Sequence, residues 1–224
     1  LLPHGYPVIL VDDGSDTACA AVLVELAEMH SDQVELVVLP QNRGKGGAVK
    51  AGLRYALQAG FSHALQIDAD GQHDLTDLPA FMSAAESRPE LLISGCPIYD
   101  DSVPALRYYS RYLTHIWVWI NTLSLQIRDT MCGFRVYPLP AVVAMCERQA
   151  LGNRMQFDTE VMVHWYWQGG TVHHIPTQVQ YPIDGVSHFD AWRDNVLISK
   201  MHARLFFGML CRLPSLLRRT LSGR

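Results

Sequence analysis

No stretch of this chain reaches the roughly 20 uninterrupted apolar residues that a membrane-spanning helix requires, and no signal peptide is visible. Cysteine is sparse and scattered. Cys19, Cys96, Cys132, Cys146 and Cys211 are odd in number and lack C-x-x-C spacing, which argues against a disulfide framework or a zinc site and for a reducing compartment. The G-x-x-x-x-G-K-[ST] spacing of a P-loop is absent, as are internal repeats and low-complexity segments. Charged residues make up only 18% of the 224, against 49% hydrophobic, a globular balance that fits one domain, or one domain with an appendage. The charge is uneven. Residues 193–224 hold seven basic residues and one acid, a net of +6, and the remainder holds 11 basic and 21 acidic, a net of −10. An acidic body with a basic end suggests an end that meets an anionic surface.

What the chain does contain is organised around Leu65–His73, LQIDADGQH. The apolar run Ala64–Ile67 reads as a buried strand. It ends in two carboxylates, Asp68 and Asp70, placed two apart so that both side chains point one way. Strand ends of this kind are where open α/β sheets bind ligands. Carboxylate and carbonyl oxygens, with Gln72 in reach, suit Mg2+ or Mn2+, ions that commonly also take substrate phosphates.

The pattern before this stretch is strand Tyr6–Val11, helix Ala18–His30 capped by Ser15 or Asp16, strand Val34–Leu39, a glycine-rich turn Asn42–Gly47, and helix Ala48–Ala59 closed by Gly60. Such alternation means βαβ units and a parallel sheet. After it come a helix over Leu75–Ser87, a short strand Leu91–Ser94 and an aromatic, largely apolar helical stretch, His115–Ile127. Then follow RDTMCGFRVY (Arg128–Tyr137) with a strand starting at Val136, and GNRMQFDTE (Gly152–Glu160) leading a helix to Trp167. Two short edge strands, Thr171–Ile175 and Gln178–Tyr181, are split by Pro176. Asp194–Arg212 has apolar Val196, Leu197, Met201, Leu205, Phe206 and Met209 near 3.6 spacing, interrupted by Lys200, Arg204 and Arg212. It reads either as a helix packed on the domain or as a basic amphipathic helix at a membrane interface, and the basic excess favours the second.

The segments VDDGSD (Val11–Asp16), NRGKGGAVKAGL (Asn42–Leu53), DADGQH (Asp68–His73) and RDTMCGFR (Arg128–Arg135), in this order and spacing, resemble the family 2 glycosyltransferases with a GT-A fold. The likeness is nearest to the branch of dolichol- and polyprenyl-phosphate sugar synthases, and it covers roughly Tyr6–Tyr181. It implies an α/β GT-A (Rossmann-like) fold, with a mostly parallel central sheet and helices on both faces. A glycosyltransferase domain would span 1–192, with the usual first strand missing or truncated, since nothing before Val8 supplies the family's P-x-Y-N-like strand. A membrane-associating tail would span 193–224.

The resemblance further implies a metal-dependent, inverting transfer of a sugar from a UDP- or GDP-sugar donor to a lipid-phosphate or other membrane-surface acceptor. Asp12, Asp13, Gly14, Ser15, Lys45 and Asp68 would serve the nucleotide. Asp68, Asp70 and Gln72 would hold Mg2+ or Mn2+. Arg107, Arg111 and Arg135 would hold an acceptor phosphate, with Arg135 also contacting the donor's phosphates. For a hydroxyl acceptor, Asp158 or Glu160 would act as base. The implied setting is cytoplasmic, peripheral at the inner face of the cell membrane, with anionic lipid and no nucleic acid as partners. The other reading is a non-catalytic or degenerate nucleotide-sugar-binding module at a membrane; a nucleotidyltransferase would need a triphosphate-binding glycine loop that is not seen.

Overall fold

Short apolar runs punctuated by glycine and acid build two compact units in the computed structural model of the chain. The structure describes residues 1–98, 105–179 and 191–222, and for 105–110 and 191 the backbone alone. One unit comprises Leu1–Ala64 and Leu139–Phe157, the other Leu65–Pro138 and Asp158–Arg224. This division differs from an expected body and tail: the C-terminal helix belongs with the second unit.

In the first unit, β1 (Val8–Asp12) and β2 (Val34–Val38) pair in parallel, Val8 opposite Val34 and Asp12 opposite Val38. Helix α1 (Thr17–Met29) connects them. Asp16 is its cap, accepting from the Cys19 N–H at 2.9 Å. A 3-10 turn, Leu2–His4, precedes β1. Helix α2 (Lys45–Gln58) starts three residues before the expected Ala48, because Gly44 takes φ +83° at its N-cap and opens the helix there. Helix α5 (Leu139–Arg148), which sequence reading missed, packs on α2 and buries Leu139, Val142 and Met145.

The second unit is built on a four-stranded sheet, in the order β3 (His63–Gln66), β5 (Arg135–Pro138), β4 (Leu92–Ile98) and β6 (Val172–Gln178). Strands β4 and β6 are parallel, and β4 and β5 antiparallel. The expected mostly parallel sheet is thus mixed. The physical reason is that the 131–133 turn lies at the edge where β4 ends, since Pro97 and Met131–Gly133 line one cavity there; the chain therefore re-enters the sheet from the edge it left. Strand β6 is one strand, not two. It lies at the sheet edge, where Pro176 needs no ladder donor; residues 180 and 181 of the expected second strand lie outside the described residues. Between β3 and β4 a 3-10 turn (Leu75–Asp77) leads into α3 (Leu78–Ser87). Phe81 of α3 stacks on Phe134, centroids 4.1 Å apart, in a core with Leu78, Ile93 and Val136.

Helix α4 (Ala105–Thr122), α6 (Phe157–Trp167) and the 31-residue α7 (Ala191–Leu221) complete this unit. Helix α7 runs straight through Pro214, past the expected end. It packs on α4, with His202 stacked on Trp117 at 5.8 Å and Met201, Leu205, Met209 and Leu216 buried. Its Trp192, Phe207, Leu210, Leu217 and Leu221 stay exposed.

Burial pushes His164, His174 and His202 of this unit down to about 4. The Arg128 N–H donates to His174 Nε2 at 3.1 Å, which requires that nitrogen unprotonated. In the unfolded chain these imidazoles bind protons near pH 6.5 while the folded chain stays neutral. The unfolded state therefore gains protons first, and stability falls as pH drops from about 6.5 toward 4, each group contributing about 1–3 kcal/mol. The urea midpoint is expected to decline steadily between pH 7 and 4.5; a flat profile over that range would contradict the burial of these side chains.

Candidate functional site

In the first unit the end of β1 carries two acids with different duties. Asp12 is buried, and its Oδ1 accepts the Ser15 N–H at 2.8 Å. The hydrogen bonds from Ser15 hold its carboxyl below the usual range. Asp13 is engaged with the glycine-rich turn. Its two carboxylate oxygens accept the N–H groups of Arg43 and Gly44 at 2.7 Å each, and its carbonyl accepts from Asn42 Nδ2 at 2.8 Å. The turn is thus built as much for folding as for binding. A Cβ at Gly44 would sit 2.8 Å from the Asn153 carbonyl, and one at Gly46 would lie 2.3 Å from Phe157. Gly14 and Ser15 are exposed just beyond β1, and Lys45 is the first residue of α2. A helix N-terminus favours anions there. Lys50, not singled out from sequence, ties α2 to the 151–153 loop through the carbonyls of Leu151 and Gly152 and through Asn153 Oδ1.

In the second unit Asp68, Asp70 and Gln72 line one small cavity of about 50 Å3, together with His73, Arg111, Met131, Cys132 and Gly133. Asp68 accepts from Gln66 Nε2 at 3.1 Å and lies directly against Gly133, where a Cβ would come within 2.0 Å of its carboxylate. Asp70 is exposed and closes a local turn by accepting the Gln72 N–H at 3.0 Å. Among the described residues no three carboxylates, imidazoles or thiols converge as a metal cage. Two carboxylates and an amide oxygen fit a hard divalent ion that keeps other positions for substrate oxygens.

Arg111 reaches this cavity from α4 on a fixed mount. Its Nε and Nη2 donate to the two oxygens of Asp129 at 2.7 and 2.8 Å. His115 Nε2 lies 3.1 Å from the same carboxylate, and the N–H groups of Met131 and Cys132 complete it at 2.8 Å. Although burial opposes ionisation, the hydrogen bond from His115 and the charge of Arg111 hold Asp129 well below the usual carboxylate range. Asp129 and Gly133 lie inside the RDTMCGFR segment; the glycine there signals a tight backbone approach, whereas Asp129 had been given no role. The side chain of Arg107 lies outside the described residues.

Three of the expected residues are buried. Arg135 has no exposure at all; its guanidinium donates to the carbonyls of Thr130 and Asp158. It is an internal strut with no face toward a phosphate. Glu160 is equally buried, and its carboxylate is held by Arg204 of α7, so it is not open to an acceptor hydroxyl. Asp158 is buried, lies 3.8 Å from Arg135 and begins α6, where its charge complements the helix dipole. None of the three lines the Asp68–Asp70 cavity.

Comparison with known proteins places the chain in a family. Residues 4–153 match the family model for glycosyl transferase family 2. The chain is 33% identical over 172 residues to a dolichyl-phosphate beta-glucosyltransferase of Dictyostelium discoideum, covering 72% of this chain and 51% of that protein. It is 30% identical to the mouse enzyme of the same name (70% and 50% covered) and 28% identical to a polyprenol monophosphomannose synthase of Mycolicibacterium smegmatis (60% and 52%). The chain spans about half the length of the curated relatives it matches. Among solved structures, glucosyl-3-phosphoglycerate synthase from Mycobacterium tuberculosis superimposes with a TM-score of 0.58 at 14% identity, covering 92% of this chain and 68% of that one, a likeness of fold. The fold is GT-A, and with the four motifs in order on it the chain belongs to glycosyl transferase family 2, on the branch of the polyprenyl-phosphate sugar synthases.

Proposed function

We propose that this chain is a metal-dependent, inverting glycosyltransferase that moves a sugar from a UDP- or GDP-sugar to a lipid phosphate at a membrane surface. The observation that carries the reading is the cavity where two carboxylates and an amide, Asp68, Asp70 and Gln72, share a wall with the guanidinium of Arg111. Oxygen donors beside a guanidinium suit a cation and phosphate oxygens together. Bound there, Mg2+ or Mn2+ would supply Lewis-acid stabilisation of the departing nucleoside diphosphate.

The burial of Asp158 and Glu160 supports the choice of acceptor. Neither Asp158 nor Glu160 is available as a base. A hydroxyl acceptor needs one. A lipid phosphate is already an anionic nucleophile and needs only to be held, which Arg111 can do. One displacement at the anomeric carbon then inverts it.

Attachment to the membrane is assigned to the outer faces of α4 and α7. Leu113, Ile116 and Ile120 are exposed on the first, and Phe207, Leu210 and Leu217 on the second, which also carries the exposed cations Arg193, Lys200 and Arg218. No helix among the described residues is long and apolar enough to cross a membrane. Apolar side chains flanked by cations suit an anionic interface, at the inner face of the cell membrane.

The test is release of UDP or GDP from a panel of sugar nucleotides with manganese and a polyprenyl phosphate in anionic vesicles. Turnover is expected only with metal, and the protein is expected to sediment with the vesicles. A protein that binds sugar nucleotide without turnover would instead favour a degenerate binding module. No binding with or without metal would remove the proposal.

A further inference from the structure

We propose that Asp129 is the positioning residue of the cation cavity, clamping Arg111 on its wall and, through the 129–133 turn, setting the glycine against which Asp68 rests. Arg111 is mounted from α4, Asp129 stands at the start of the turn, and Gly133 ends it. A free arginine side chain samples many rotamers. The fork of Nε and Nη2 onto both oxygens of Asp129 removes that freedom before any ligand arrives. Asp129 has 1% of its surface exposed, so the clamp is sheltered from competing water. The same carboxylate works on the cation side. Its Oδ1 accepts the N–H groups of Met131 and Cys132, bending the chain so that Gly133 meets Asp68. One side chain thereby sets a guanidinium for phosphate and a carboxylate for metal.

This inference rests on the reading of Arg111 as a phosphate ligand, and a double-mutant cycle tests it. Wild type, Arg111→Ala, Asp129→Asn and the double variant would be titrated with citronellyl phosphate, a short soluble prenyl monophosphate, in the presence of Mn2+ by calorimetry. Asparagine keeps the shape and the Oδ1 acceptor for the turn but gives up the charged clamp. Each single change is expected to weaken phosphate binding about tenfold, and the double variant is expected to bind no more weakly than Arg111→Ala alone, because the two residues act as one. Mn2+ affinity of Asp129→Asn is expected to stay within about twofold of wild type. Losses that add, an Asp129→Asn protein that binds like wild type, or a wild type that binds no phosphate would each overturn the assignment. Should Asp129→Asn fail to fold, Arg111→Lys decides: lysine cannot fork, and equal phosphate affinity there would also overturn it. Intact phosphate binding by a wild type that releases no nucleoside diphosphate counts against the proposed activity alone and leaves the role of Asp129 standing.

Discussion

Gly133→Ala is expected to reduce sugar transfer about 100-fold, close to the effect of deleting a metal ligand outright by Asp70→Ala, while the protein remains folded. The added Cβ would lie 2.0 Å from Oδ2, 2.3 Å from Cγ and 2.5 Å from Oδ1 of Asp68. All three distances are far inside van der Waals contact, so the carboxylate must leave its position and its bond from Gln66. Outer supports of a metal ligand are commonly worth 10–100-fold in affinity or activity, and here the support is direct contact. The stability cost is that of local overpacking, about 1–3 kcal/mol. Manganese titration with nucleotide-sugar turnover and circular dichroism separates the two effects. An active Gly133→Ala protein with normal manganese affinity would mean that Asp68 is not a ligand.

Arg135→Met is expected to act on the fold. Burial opposes the charge of Arg135, yet Tyr137 and Asp158 beside it hold its pKa above the ordinary guanidinium value. Its Nη1 donates to the Asp158 carbonyl at 2.8 Å and its Nη2 to the Thr130 carbonyl at 2.5 Å. Methionine would fill much of the space but leave two buried carbonyls without donors and Asp158 without its cation. Losing one partner of a buried charged network costs about 3–5 kcal/mol. Urea unfolding should show that loss, and Arg135→Lys should recover little of it, since a single ammonium cannot span the carbonyls on either side. Unchanged stability with weakened donor binding would restore Arg135 to phosphate recognition.

The two substitutions lie two residues apart in one segment, yet they are expected to fail differently. That contrast marks the limit of the linear reading. The βαβ start, the D-A-D at a strand end, the glycine-rich turn and the amphipathic α7 were legible because each depends on local rules: periodicity, capping and turn chemistry. That Asp68, Asp70 and Gln72 share one cavity was legible because their spacing brings them together. Helix α5, over Leu139–Arg148, received no element in the linear reading. The burial of Arg135 was not legible because an arginine looks the same in sequence whether its guanidinium faces solvent or two buried carbonyls.

By itself the sequence determined the family and most of the elements, since these follow from side-chain type and short-range spacing. Only tertiary structure decided which charges are spent on folding. Glu160 is claimed by Arg204, 44 positions away, and Arg111 by Asp129, 18 positions away. The physical reason is that a buried charge must find its partner wherever packing places one, and no local pattern encodes that distance.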